Sequence, residues 1–263
     1  ESSNTLAVAS LNTLNGNTTG NINADTVTTL TGAISDLNTA YAASASTGDG
    51  ISNLGNEAIT LSDTSVTDVA ALNTLNGNTT GLIDADTVSS FTGSIPALNT
   101  MFAAKAASGD GISFSGSAGA ADQTVSISDT TDVSVTGLNT LNGNTTGNID
   151  ATNVTSLASA SISDITTLLT AGNNSTNNFA ATSFQSLATV AVSGTSISVA
   201  DLNDSITQAN TATGGTTTVF SVASGATITT GDEAAFSTLL TNESNGNIAI
   251  TDQNLTVSSG TIS

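Results

Sequence analysis

The ten residues LNTLNGNTTG stand at Leu11–Gly20, again at Leu72–Gly81 and again at Leu138–Gly147, so the copies begin 61 and then 66 residues apart. Ten identical residues in three places mean that the chain is built from repeats, and repeats decide the class of fold before any single element is read. The likeness continues without gaps through NINADTVTTLTG (Asn21–Gly32), LIDADTVSSFTG (Leu82–Gly93) and NIDATNVTSLAS (Asn148–Ser159). Further on, AISDLNTAYAASASTGDGIS (Ala33–Ser52) matches SIPALNTMFAAKAASGDGIS (Ser94–Ser113).

A short apolar run ending in Asp-Thr occurs twice in each period and predicts a short strand. The runs are INADT (Ile22–Thr26), ITLSDT (Ile59–Thr64), LIDADT (Leu82–Thr87) and VSISDT (Val125–Thr130), with NIDATN (Asn148–Asn153) as a degenerate fifth. Asp25, Asp63, Asp86 and Asp129 are separated by 38, 23 and 43 residues, so long and short units alternate. After each run the apolar period lengthens to that of a helix. Val27, Leu30, Ile34, Leu37 and Tyr41 form one such stripe, Val88, Phe91, Ile95, Leu98 and Phe102 a second, and Val66, Val69, Leu72 and Leu75 a third. Gly32 and Gly93 interrupt the longer stripes, and Ser94 before Ile95-Pro96 has the pattern of an N-cap. The reading is a short turn followed by a better helix, with GNTTG and GDG as return loops.

One strand, one helix and two turns in about 23 residues is the size of a solenoid rung of the leucine-rich-repeat kind, which buries its apolar strip only by stacking on neighbours. The predicted fold class is a repeat solenoid of parallel β-strands and short helices, leucine-rich-repeat-like or β-helix-like. Leu11–Ser159 is expected to form one stack of at least four rungs, with Leu14, Leu75 and Leu141 as buried equivalents. Residues 1–170 are assigned to the regular repeats, starting near 11, 72 and 138, and residues 171–263 to a diverged continuation or cap. In that last part TVAVSG, TTTVFSVAS, NIAITD and NLTVSS read as strands, VADLNDSITQAN and DEAAFSTLL as helices, and GNNSTNN (Gly172–Asn178) as the junction.

Hydrophobic residues make up 37% of the 263, enough for a core, and only one proline is present, so disorder is not expected. Asp and Glu total 21 against a single Lys105, with no Arg and no His, for a formal net charge of −20. That balance excludes nucleic acid as an expected partner and disfavours an anionic membrane surface, because both need Lys or Arg. It suits solubility and it suits cations. With no cysteine, disulfides and thiolate metal sites are ruled out. No apolar run of membrane-spanning length occurs, and Glu1–Ser10 lacks the pattern of a signal peptide. The chain is therefore expected to be a mature segment or a piece of a longer one.

LNTLNGNTTG, DADTVSSFTG, ADTVTTLTG, LNTAYAAS and LGNEAITLSDTSV (Leu54–Val66) resemble the repeats of very large Thr/Asn/Asp-rich surface proteins of marine bacteria, cyanobacteria especially. The resemblance covers about Leu11 to Ser159. It implies export without a classical signal peptide, extended repeat arrays, and roles in surface layers, filaments, adhesion or motility. Many proteins of that kind carry calcium-binding glycine-aspartate nonapeptides, and this chain departs from them in lacking a GGxGxDxxx array.

Catalytic chemistry finds few candidates. Without His or Cys there is no Ser/His triad and no thiol nucleophile, and Lys105, in MFAAKAAS, reads as a helix-end lysine. No phosphate loop of the GxxxxGK[ST] kind occurs, and the aromatics that hold sugars are sparse, with one Tyr, seven Phe and no Trp. An enzyme is not expected. Oxygen ligands remain. Asp49 and Asp110 sit in the equivalent loops TGDGI and SGDGI, and Asp25, Asp63, Asp86 and Asp129 would form rows if strands stack, so these six are the candidate Ca²⁺ ligands. The same residues are also ordinary turn and cap signals. The function expected from the sequence is a non-catalytic extracellular module of a cell-surface array, filament or stalk that associates with its own copies. The alternative is an adhesin or phage tail-fibre module that binds a surface glycan or receptor.

Overall fold

The computed structural model describes residues 4–44, 48–114, 122–174, 178–230, 232–249 and 254–257. Parts of the sequence-read GDG loop (Thr47), the GNNSTNN junction and the last two strands lie outside them. The chain runs β1 (Thr5–Ala7), α1 (Val8–Gly16), β2 (Asn21–Asn23), β3 (Thr29–Gly32), α2 (Ile34–Ala42), β4 (Gly50–Ser52), β5 (Ala58–Leu61), β6 (Ser65–Val66), α3 (Val69–Asn78), β7 (Leu82–Asp84), β8 (Ser90–Gly93), α4 (Ile95–Ala103) and β9 (Gly111–Ser113). It continues β10 (Thr124–Ile127), α5 (Val135–Asn144), β11 (Ile149–Asp150), β12 (Ser156–Ser161), α6 (Ile162–Asn173), β13 (Thr189–Ser193), β14 (Ser196–Ser198), α7 (Val199–Ala212), β15 (Val219–Val222), β16 (Thr227–Thr230), α8 (Glu233–Ser244), β17 (Ile248–Ala249) and β18 (Asn254–Val257).

The fold is α/β with parallel strands, and the sheets do not close into a barrel. The described residues form two compact units. One takes the chain up to Ser126 together with Asn144–Gly147, and the other takes Ile127–Gly143 and the chain from Asn148 onward. The boundary that the sequence suggested near residue 170 falls inside the second unit and within α6.

In the first unit β1, β3, β5, β7 and β9 pair in that order, all parallel, as do β2 with β4 and β6 with β8. Parallel neighbours need a crossover of a dozen residues or more, and the helices and loops between consecutive partners supply it. Their register aligns Leu6, Leu30, Ile59, Ile83 and Ile112, of which the last four are fully buried. The second unit repeats the device. There β12, β13, β15 and β17 are parallel and align Leu157, Val190, Phe220 and Ile248, all buried, while β14, β16 and β18 form a second parallel sheet.

The helices begin later than the apolar stripes suggested. Leu30 and Phe91 lie in β3 and β8, and helical turns start only at Ile34 and Ile95. The β-branched Thr28, Thr29 and Thr31 around Leu30 favour an extended chain, and joining the parallel ladder wins over the helical spacing. Gly32 and Gly93 are contact points, not breaks in a helix. A Cβ on Gly32 would overlap the Val8 side chain, and one on Gly93 would come within 3.0 Å of the Val69 Cβ. Ser94 does cap α4, accepting from the Ala97 N–H, with Pro96 in the first turn. Asp68, Ser161, Ser198 and Asp232 cap α3, α6, α7 and α8 in the same manner.

One expected equivalence fails. Leu75 and Leu141 are fully buried, but Leu14 is 52% exposed. Identical residues differ because no described residue covers the flank of α1 that bears Leu14, whereas the equivalent flanks of α3 and α5 are covered. Leu75→Ala should therefore cost about 2–5 kcal/mol, as core truncations do. Leu14→Ala should change stability by no more than about 0.5 kcal/mol, and urea unfolding of the two variants measures the contrast.

Candidate functional site

Successive helices meet through one recurring contact. The third residue of LNT is a helix-interior threonine, and the second, asparagine, is the fifth residue of its helix in α1, α2, α3 and α5. Asn12 Nδ2 donates to the Asp36 carbonyl at 2.9 Å, Asn38 to Ala71 at 2.9 Å and Asn73 to Ala97 at 2.9 Å. In the second unit Asn139 donates to Asp164 at 3.1 Å and Asn203 of α7 to Ala235 at 2.8 Å. Every acceptor is the third residue of the following helix. The amide thus sets both the spacing and the axial register of neighbouring helices. Where α6 carries Thr166 at the fifth place, its hydroxyl meets the Ser205 hydroxyl of α7 at 2.6 Å instead. The signal for this ladder was present in the sequence as an Asn at a fixed place in a helical stripe, but no acceptor carbonyl is visible there.

A second polar group was also missed. Glu57, directly before β5, is 1% exposed, and its Oε2 accepts from the Tyr41 hydroxyl at 3.0 Å and from the Gly55 N–H at 2.9 Å. Its Oε1 is buried without a donor. Burial pushes the Tyr41 hydroxyl well above its usual range; a hydrogen bond with Thr79 opposes this, and the Glu57 charge adds to it. In the next copy of the large repeat Phe102 stands at the place of Tyr41 and Gln123, also buried, at the place of Glu57. Hydroxyl and carboxylate are present together or replaced together, as expected if the carboxylate requires the phenol as donor.

The six aspartates proposed as cation ligands are not brought together. Asp49 and Asp110 are exposed at the tips of their loops. The flanking glycines serve the backbone: Gly48 and Gly109 are left-handed, and a Cβ on Gly111 would strike the Ala104 carbonyl. Asp63 Oδ2 accepts from the Ile34 N–H at 2.9 Å, at the start of α2. The β5–β7 register places Asp84, not Asp86, beside Thr60, and the Thr87 hydroxyl contacts the Asp63 carbonyl, so Asp63 and Asp86 do not face each other. Asp25 and Asp86 are exposed in turns where Asn23 and Asp84 oxygens accept their N–H groups. Asp129 is half-buried beyond β10. Among the described residues no three acidic side chains converge.

A polar depression lies between α6 and α7, lined by Ser163, Thr166, Thr167, Thr170 and Asp201, with Asn142 beside them. Lys105 is exposed just after α4. Seven of the eight aromatic residues are buried and Phe236 is half-buried, so no aromatic platform stands on the surface. No helix among the described residues is long and apolar enough to cross a membrane. No protein-family profile, curated protein or solved structure matches this chain.

Tyr41 is the only tyrosine and there is no tryptophan, so phenolate absorbance reports on it alone. In the folded protein that absorbance should stay absent through pH 10, whereas in urea it should appear near the ordinary value of about 10. A hydroxyl raised in the fold contributes stability below the unfolded value that is lost as pH rises above it, so the melting temperature should fall above about pH 10 in wild type and not in Tyr41→Phe. Tyr41→Phe alone strips a donor from a buried carboxylate and should cost about 1–3 kcal/mol at pH 7. Adding Glu57→Gln, which reproduces the next repeat, should restore most of the loss, and a double-mutant cycle measures it.

Proposed function

We propose that this chain is a non-catalytic structural module, a repeat solenoid whose β–α rungs stack side by side, and that it works outside the cell in a surface array, filament or stalk. The observation that carries this reading is the use made of the repeated motif. Five of its six leucines are buried, its asparagines Asn12, Asn73 and Asn139 tie α1, α3 and α5 to the helices that follow them, and in the second and third copies its last glycine seats a neighbouring backbone: a Cβ on Gly81 would collide with the Glu57 carbonyl and one on Gly147 with that of Gln123. A motif used wholly for stacking is what selection for a scaffold would retain. The acidic balance and the absence of cysteine support a secreted protein that stays soluble and meets cations and copies of itself.

An adhesin remains the second reading, and the hydroxyl-lined depression between α6 and α7 is the feature that favours it. Burial of the aromatics weighs against a sugar site, since rings are what stack on sugar faces.

Immunogold electron microscopy of cells making the protein tests the proposal. Label on a filament or regular layer outside the cell is the expected result, and label confined to the interior overturns it. Label at isolated tips, with glycan binding abolished by Thr167→Trp, would favour the adhesin. Calcium gives a second measurement. With no three acidic side chains converging among the described residues, about 10 mM Ca²⁺ should raise the melting temperature by relieving charge repulsion in general. That rise should be the same in the variant carrying Asp49→Asn and Asp110→Asn. A rise lost in the double variant would place a specific site in the two loops.

A further inference from the structure

Asn38 and Ala71, which join α2 to α3, also line a groove of about 530 Å³ between these two helices. Ala42, Ala70 and Ala71 give it apolar walls, together with Tyr41, which is 8% exposed. Its polar residues are Asn38, Asp68, Thr74 and Asn78. The volume is that of a small-molecule site.

The groove holds acceptors that want donors. Asn38 Nδ2 is used on the Ala71 carbonyl, and its Oδ1 is buried with no donor, a state that a bound ligand relieves. Asp68 is exposed, and one of its carboxylate oxygens accepts the Ala70 N–H at 3.0 Å as the cap of α3. The Tyr41 hydroxyl leads on to the buried Glu57 carboxylate, which adds a second negative charge behind the ring. Lys105, the only basic side chain of the protein, is not among the lining residues. A cleft with one sign of charge and apolar walls concentrates the opposite ion.

The next copy of the large repeat lacks this combination. Asn99, Phe102, Ser134 and Asn144 stand there at the places of Asn38, Tyr41, Asp68 and Asn78. Asn144 Nδ2 donates to Asn99 Oδ1 at 3.5 Å, a bond that Asn78 does not make with Asn38. Serine for Asp68 removes the carboxylate, and glutamine for Glu57 removes the charge behind the ring. The repeat is thus built elsewhere without the charge and with the amide oxygen paired, so stacking alone does not require the arrangement around Asn38.

We propose that the groove between α2 and α3 binds a free linear polyamine, whose ammonium groups donate to Asn38 Oδ1 and to the Asp68 carboxylate while its methylenes lie on the alanines and Tyr41. A metal ion fits less well, because Ca²⁺ takes about six to eight oxygens and this groove offers a single exposed carboxylate among apolar walls. An alkyl chain carrying ammonium groups matches both the walls and the acceptors, as the stem and head of a lysine do. Asp68 precedes the first residue of α3 and Asn78 is its last, about 15 Å apart along the axis, so an extended chain with an amine at each end meets an acceptor at each. This inference does not rest on the structural module proposed above or on where it works.

Calorimetric titration of the whole chain with spermidine at fixed ionic strength tests it. Saturable binding with Kd of about 0.1–1 mM is expected, weakening severalfold between about 0.05 and about 0.3 M NaCl as the charges are screened. The near-ultraviolet circular dichroism of Tyr41, the only tyrosine, should change along the same curve. Asp68→Asn keeps a good cap and should weaken binding about tenfold or more. Ala70→Phe fills the groove from its exposed wall without altering charge and should abolish binding. Asp204→Asn, which removes the same charge from the exposed surface of α7, should leave Kd within about twofold. Nα-acetyl-lysine methylamide, with one ammonium, should bind about tenfold more weakly than spermidine or worse. Thermal melts show that the variants fold. The proposal is overturned by an absence of saturable heat, by heat without a Tyr41 signal, by equal losses in Asp68→Asn and Asp204→Asn, or by undiminished binding in Ala70→Phe. A lysine derivative that binds as tightly as spermidine also overturns it, in favour of a lysine side chain of a partner protein.

Discussion

A helix of nine or ten residues with one apolar stripe is not stable alone in water, because too few hydrogen bonds follow the costly first turn. A strand of three or four residues is no better placed. Each repeat in this chain consists of such pieces, so the structure depends on sideways cover: what lies on either side of a helix or strand decides whether its leucine is core or surface. The columns Leu30, Ile59, Ile83, Ile112 and Leu157, Val190, Phe220, Ile248 are the visible form of that dependence.

The unusual composition follows from the same requirement. Threonine is a mediocre helix former, yet Thr13, Thr39, Thr74, Thr100 and Thr140 each turn the hydroxyl back to the carbonyl four residues earlier, at 2.8–2.9 Å. The hydroxyl is thereby satisfied, and the neighbouring asparagine is left to span the gap to the next helix. Glycine is placed where backbones touch, as at Gly81 and Gly147, and where a loop must turn left-handed, as at Gly48 and Gly109. Acidic groups also have local work at chain reversals: Asp68 and Asp232 cap helices, Asp63 receives the first N–H of α2, and Asp84 closes a turn onto Asp86. A strongly negative chain can therefore be compact without pairing its charges, since many of its carboxylates accept backbone N–H groups.

Among the described residues Glu57 is the one buried carboxylate, and its contact with Tyr41 shows how it is accommodated. Two donors hold one oxygen, and the other has none. The Phe102 and Gln123 version in the next repeat serves the same volume with less charge. Two solutions at equivalent places in one chain indicate that the site constrains shape tightly and polarity only as a pair.

The sequence by itself determined that the chain is repetitive, that its strands lie at the apolar runs before Asp-Thr, that helices follow them, and that Ser94 starts one of those helices. These are local properties, carried by periodicity and by residues whose hydrogen bonds close within a few positions. It also ran the helical spacing back over Leu30 and Phe91, because these fit a helix and a strand equally well until a neighbouring strand is present to pair with. It treated Leu14, Leu75 and Leu141 as alike, and it put Asp63 and Asp86 in one row. Only the tertiary structure decided these, because burial and register are relations to what lies beside a residue in space, and three identical decapeptides carry no mark of which neighbour each has.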